Sequence, residues 1–152
     1  MDANTLARAC ADALWADDTA SRALDMQLIS VEPGHAVLIM HVTDKMVNGH
    51  GICHGGYLFA LAESALLYAC NTYNRRTVAQ HGSMTFLNSA QLGDRLVAKA
   101  VERQRSGRSG VYDVTVTREE GFVIAEFRGI ARTIEGELVP GARLRGALGA
   151  AV

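Results

Sequence analysis

The apolar positions of the first half of the chain change from a helical to an alternating spacing and back. Near the N-terminus they recur every three or four residues, which predicts a helix over residues 4–15 and a shorter one over 19–24. Two strands follow, over 25–32 and 35–43. After a loop, an almost uninterrupted apolar run predicts a long helix from about 54 to 74, and such a helix must be enclosed by other elements.

The second half of the chain has the patterns of strands only. Four segments separated by Gly- and Asn-containing turns predict strands over 77–87, 94–103, 110–118 and 121–134. The last segment is long for one strand, so Gly129 is interpreted as a bulge. The order predicts an α+β fold in which an antiparallel sheet packs on the long helix. The chain from Pro140 onward has no strong period and is predicted to be frayed.

Composition narrows the class of protein. With 152 residues, 49% of them hydrophobic, one domain over 1–152 is expected, and its N-terminal segment, about 1–24, is helical. A net charge of −1 argues against a nucleic-acid partner. The three cysteines have no paired spacing, which favours reduced thiols and a cytoplasmic protein over a disulfide framework. The apolar helix carries Glu63 near its centre, which argues against a membrane span.

Glu63 is the strongest candidate for a catalytic residue. It is the one charged group in the apolar helix, and burying an ionised carboxylate is costly unless the group is paired or its pKa rises. We therefore expect a carboxylate held in a partly dry site as a general base or nucleophile. The alternative is a structural glutamate that bonds to a neighbour or faces a water pocket.

The sequence His54-Gly55-Gly56 stands where this helix begins. Free N–H groups at a helix N-terminus carry partial positive charge, and glycines allow a substrate oxygen to approach them. A Gly-Gly that only turns the chain is the alternative. Glu63 lies eight residues beyond Gly55, about 12 Å along the helix axis. One chain therefore does not easily bring the two together, whereas a symmetric dimer with antiparallel central helices would.

The loop before the helix holds three further candidates. Asn48 can hold a water molecule or a carbonyl group, although asparagine is also a common turn residue. A Cys53 nucleophile with a histidine base is a weaker possibility. His50, Cys53 and His54 lie close in sequence, but no second pair of ligands accompanies them, so no metal site is expected.

A local basic patch lies beside a glycine-rich turn in the second half. It consists of Arg103, Arg105 and Arg108. Such a patch is either the solvated end of a hairpin or a contact for the phosphates of an anionic ligand.

These motifs together resemble the PaaI-type hotdog-fold acyl-CoA thioesterases. The resemblance begins in MVNGHGICHGGYLFALAESALLYACN, residues 46–71, and continues through 84–100, 107–117 and 127–133. It implies a hotdog fold, a curved antiparallel sheet wrapped around the long helix. It also implies a dimer with shared active sites, often paired further into a tetramer, and no metal or redox cofactor.

The resemblance also implies roles for single residues. Gly55 and the adjacent Gly56 would meet the thioester, with the Gly55 amide polarising its carbonyl, while Asn48 and His54 would position thioester and water. Glu63 of the facing subunit would be base or nucleophile, and Arg103, Arg105 and Arg108 are candidates for the CoA phosphates.

Two positions depart from the family pattern. Glu63 stands where this group usually has Asp, which leaves the choice between base and nucleophile open, and Asn88-Ser89 stands where Arg-Pro is common. The sequence therefore predicts an acyl-CoA thioesterase, with an aryl group such as phenylacetyl or a hydroxylated relative as the acyl part. The alternatives are a hotdog hydratase or dehydratase and a non-catalytic acyl-CoA-binding module.

Overall fold

The computed structural model describes residues 1–119 and 121–146, which form one six-stranded sheet together with α-helices. Two helices come first, α1 (Ala3–Asp17) and α2 (Thr19–Ala23), followed by strands β1 (Gln27–Glu32) and β2 (His35–His41). A short 3-10 turn (Asp44–Met46) leads to the long helix α3 (Gly55–Cys70). The remaining strands are β3 (Thr77–Phe86), β4 (Arg95–Ser106), β5 (Ser109–Arg118) and β6 (Val123–Thr133). The predicted α+β class is confirmed.

The sheet is antiparallel throughout, in the order β1-β2-β4-β5-β6-β3. Strand β3 therefore forms one edge, paired with β6 on one side and with no strand of the described chain on the other. An edge strand presents unpaired backbone N–H and C=O groups that can pair with another chain. This edge lies beside α3, which packs on the sheet.

Helix α3 is buried against apolar side chains that project from one face of the sheet. Leu61 and Leu66 of the helix are fully buried. The residues of β4 and β5 that point toward the helix are equally inaccessible; they include Leu96, Ala98, Ala100, Tyr112, Val114 and Val116. These are the positions that the two-residue period assigns to one face of each strand.

The ends of several elements differ from the prediction. Helix α3 ends at Cys70, and Asn71 is its C-cap residue, with a side chain that donates to the Leu67 carbonyl at 2.9 Å and to the Thr77 carbonyl at 2.9 Å. Strands β4 and β5 are longer than predicted and meet in a tight turn, where Gly107 has a φ of 60°.

The predicted bulge at Gly129 is wrong. Gly129 pairs regularly with Gly82 of β3 and Tyr112 of β5. A Cβ atom at this position would lie 2.5 Å from Cδ2 of Leu66, so the glycine allows α3 to approach the sheet. The irregular pairing in β3 lies instead between Ala79 and His81.

Residues 140–146, the described part of the segment predicted to be frayed, are hydrogen-bonded to the rest of the chain. The amide of Arg145 donates to the Met1 carbonyl at 2.7 Å, and the Asn74 side chain donates to the carbonyls of Val139 and Ala142. These hydrogen bonds join the segment to the start of α1 and to the loop after α3. Residues 147–152 of the predicted tail lie outside the described residues.

Within residues 1–119 and 121–146, no helix is both long enough and apolar enough to span a bilayer.

Candidate active site

Glu63 lies on the open side of α3, next to the edge strand β3. Its carboxylate is exposed, which differs from the expected buried acid, because no part of the described chain covers the free side of β3. The residues around it form a shallow pocket that includes Phe59, Gly82 and Phe127. Glu63, the residue expected from the sequence to be a base or nucleophile, is thus in contact with solvent in the single chain.

The start of α3 has one free amide. His54 is the N-cap residue, and its Nδ1 accepts a hydrogen bond from the Gly56 amide at 2.8 Å. The Gly55 amide has no acceptor among the residues described. Because Nδ1 of His54 is an acceptor, a neutral ring carries its proton on Nε2. The Gly55 amide is therefore free to bind another molecule, whereas the Gly56 amide already donates to the N-cap side chain of His54.

A groove opens beside Gly55. Its wall includes Asn48, Ile52, Leu58, Phe86 and Leu87. The ring of Phe86 lies so close that a Cβ atom on Gly55 would be 2.8 Å from its Cζ. A side chain at position 55 would therefore displace the ring or the start of the helix, which gives a packing reason for glycine here.

Asn48 forms the turn that was one of its two interpretations from the sequence, and its side-chain N–H groups are left free. Its Oδ1 accepts from the His50 amide at 2.9 Å and the Ile52 amide at 3.4 Å, as in an Asx turn. These bonds orient the side-chain amide, and its Nδ2 donates to no group in the described chain. The residue shapes the loop and still presents an N–H donor at the groove.

Cys53 also lines this groove, but its environment opposes nucleophilic chemistry. Burial, helped by the charge of Asp94, raises the pKa of the Cys53 thiol to about 11. The thiol then stays protonated at neutral pH, and the thiolate is the nucleophilic form. Residues 1–119 and 121–146 contain no cluster of three or more His, Cys, Asp or Glu side chains suited to a metal ion.

The first arginine of the basic patch, Arg103, shares a carboxylate with an arginine of a neighbouring strand. Arg103 donates to Asp113 at 2.8 Å, and Arg128 donates to the same carboxylate at 2.6 Å. Hydrogen bonds from Arg128, supported by those from Arg103, hold the pKa of Asp113 below its usual range. Arg103 is therefore committed to an ion pair on the sheet surface.

The other two arginines line a small cleft at the far end of α3. Arg105 bonds Glu102 at 2.9 Å and stacks over the Tyr73 ring at 3.5 Å, and Arg108 lies in the adjoining turn. Arg75 lines the same cleft. Sequence reasoning missed Arg75, because the loop after α3 brings it from a distant part of the chain.

Glu63 and the Gly55 amide lie apart within one chain. Glu63 lines the pocket against β3, whereas Gly55 and Asn48 line the groove at the start of α3, and the two share no lining residue. About 12 Å of helix separates positions 55 and 63. The described chain therefore carries an exposed carboxylate and a free amide at the helix start without bringing them together.

Comparison with known proteins gives relatives over most of the chain. The acyl-coenzyme A thioesterase PaaI of Escherichia coli is 39% identical over 128 residues, which cover 84% of this chain and 91% of that protein. A putative esterase of Archaeoglobus fulgidus is 27% identical over 85% of this chain and 84% of its own length.

Solved structures of similar proteins superpose on most of this chain. The E. coli PaaI structure superposes with a TM-score of 0.86 at 38% identity, over 88% of this chain and 97% of the other. A Streptococcus mutans protein bound to acetyl CoA superposes with a TM-score of 0.71 at 27% identity, over 74% and 90%. The predicted hotdog fold is confirmed. The model of the thioesterase superfamily matches residues 50–125, which include Gly55 and Glu63, and the chain belongs to that superfamily.

Proposed function

We propose that this protein is an acyl-CoA thioesterase that hydrolyses its substrate to a free acid and CoA. The observation that carries the proposal is the free amide of Gly55 at the start of α3, because this residue and Asn48 line the same largely apolar groove. An N–H donor at a helix N-terminus stabilises the negative charge that develops on a carbonyl oxygen under attack. The 39% identity to the E. coli acyl-coenzyme A thioesterase supports the same chemistry.

The working unit of this proposal is a dimer. Antiparallel pairing of two β3 edges would place the start of one strand beside the end of the other. Glu63 lies along β3 near Gly82, and Gly55 contacts Phe86 at the strand's end, so a two-fold axis would bring Glu63 of one subunit to Gly55 of the other. The new subunit would also cover the carboxylate that one chain leaves exposed. Further pairing into a tetramer is proposed on the family resemblance.

The reaction then follows from these groups. Glu63 takes a proton from water as the water oxygen attacks the carbonyl carbon, or attacks that carbon itself and forms an anhydride that water opens. In both routes the carbon–sulfur bond breaks and CoA leaves as a thiol after taking up a proton. Asn48 and His54 position the thioester and the water, and no step needs a cofactor.

The cleft at the far end of α3 is proposed as the contact for the CoA phosphates. Arg75, Arg105 and Arg108 give it positive charge, and guanidinium groups bind phosphate oxygens in pairs. Of the three arginines predicted from the sequence, Arg103 pairs with Asp113 and Arg105 pairs with Glu102, whereas Arg108 forms no ion pair among the residues described.

Replacing Arg108 by glutamine is expected to raise KM for acyl-CoA about 5-fold with little change in kcat, because one charge-assisted contact to a phosphate is lost. The effect should shrink as ionic strength rises. Steady-state kinetics at two salt concentrations measure both quantities, and Arg103→Gln is the matched control. An equal rise in KM for the two variants would contradict this assignment.

A cytoplasmic location is also proposed. All three thiols, Cys10, Cys53 and Cys70, are buried and form no disulfide with one another. Thiols remain in this state in a reducing compartment.

The proposed function is tested by a thiol-release assay on aryl, short-chain and long-chain acyl-CoAs. The E. coli relative is described as part of the phenylacetic acid degradation operon, so phenylacetyl-CoA is the first substrate to try. We expect one thiol for each ester consumed. Conversion of the acyl chain without thiol would indicate a hydratase or dehydratase, and binding without turnover would indicate an acyl-CoA-binding module; both would contradict the proposal.

A further inference from the structure

Phe86 is an exposed aromatic residue beside the start of α3. It is the last residue of β3, it is 55% exposed, and its ring lies against Gly55. Large exposed apolar groups beside a binding groove are typical of surfaces that contact a ligand or partner.

The ring of Phe86 borders the proposed binding position of the thioester carbonyl. Its Cζ and Cε1 lie 2.8 and 3.0 Å from the place of a Cβ atom on Gly55, the residue whose amide is free. An acyl group held at that amide therefore lies within contact distance of the ring. Ile52, Leu58 and Leu87 extend the apolar wall on the same groove.

The other aromatic rings near α3 are already paired. Phe59 packs edge-to-face on Phe127, with ring centroids 5.2 Å apart. In the described part of the chain, Phe86 forms no such aromatic pair and has no cation over its ring. In the single chain the ring is exposed and unpaired at the edge of an apolar groove, so it can contact a group that is bound there.

We propose that Phe86 is the specificity-determining residue for the acyl group, and that it stacks on an aromatic acyl chain whose carbonyl is bound at Gly55. This inference rests on the proposed function. Aromatic pairs prefer offset or edge-to-face geometry and contribute beyond the burial of apolar area. The enzyme should therefore favour an aromatic acyl group over a saturated ring of the same size.

Phenylacetyl-CoA and cyclohexylacetyl-CoA test this proposal, because they differ in aromaticity and little in volume. We expect the wild-type protein to have a higher kcat/KM for the phenyl ester. Phe86→Leu should lower the ratio of the two kcat/KM values about 3–10-fold, which corresponds to one aromatic pair. Phe86→Tyr should keep the ratio. Phe122→Leu is the matched control, since Phe122 is also exposed but lies outside the groove and stacks with Arg118.

The outcomes separate this inference from the proposed function. If the wild-type protein releases thiol from no ester, the proposed function fails. If it releases thiol but shows equal kcat/KM for the two esters, the selection by Phe86 is overturned without any variant. An unchanged ratio in a Phe86→Leu protein of native oligomeric mass, measured by light scattering, also overturns it.

Discussion

Replacing Glu63 by glutamine is expected to lower kcat by about 10²–10⁴-fold, the usual contribution of a general base. Glutamine has nearly the same size but cannot accept a proton or attack the carbonyl as a carboxylate. The substitution should leave folding unchanged, because the side chain is exposed in the single chain and supports no buried contact there. Single-turnover and steady-state thiol release, with light scattering for the oligomeric mass, measure the two expectations.

The control for this change is Glu135→Gln. Glu135 is an exposed glutamate that forms no ion pair among the residues described, and it lies far along the chain from the groove. It should retain wild-type kcat. Wild-type turnover in Glu63→Gln would remove the carboxylate from the chemistry, whichever of the base and nucleophile roles is considered.

The periodic part of the fold could be predicted from the sequence. The alternation in β4 and β5 predicts the face that is buried, and the unbroken apolar run predicts that α3 is enclosed. Both signals are local, so they need no knowledge of how distant segments meet. The end of α3 was harder to predict, since its C-cap residue Asn71 has a side chain that bonds to both Leu67 and Thr77.

Features that depend on strand register could not be predicted. The pairing of β5 with β6 places Asp113 opposite Arg128, and the same carboxylate binds Arg103. From the sequence alone Arg103 is equivalent to Arg108. Gly129 was misinterpreted for the same reason. Its lack of a side chain makes room for Leu66 of α3, a contact between distant parts of the sequence.

The sequence provided candidate residues for the site and little of its geometry. Gly55, Asn48 and Glu63 were identified from the helix start, the loop and the isolated charge. The exposure of Glu63 was not, because it follows from the position of β3 at the edge of the sheet. Phe86 was not identified either; an aromatic residue at the end of an edge strand is the signal that could have indicated it.

The central claim is that each active site takes Gly55 from one subunit and Glu63 from the other. A chain with Gly55→Val should be inactive, because the added side chain would meet the Phe86 ring and narrow the groove in which a carbonyl oxygen approaches the amide. Gly49→Val is the control for this change, since a Cβ at Gly49 meets nothing within 4 Å. A chain with Glu63→Gln should be inactive for the chemical reason given above.

The most direct measurement combines the two inactive chains in one dimer. Co-expressed chains with different affinity tags, purified through both tags, give heterodimers of Gly55→Val and Glu63→Gln. If the sites are shared, one of the two carries both substitutions and the other carries neither, so about half of the wild-type kcat per dimer should return. If each chain holds a complete site, every site in the heterodimer is damaged, and activity no higher than that of the two parent variants would contradict the account.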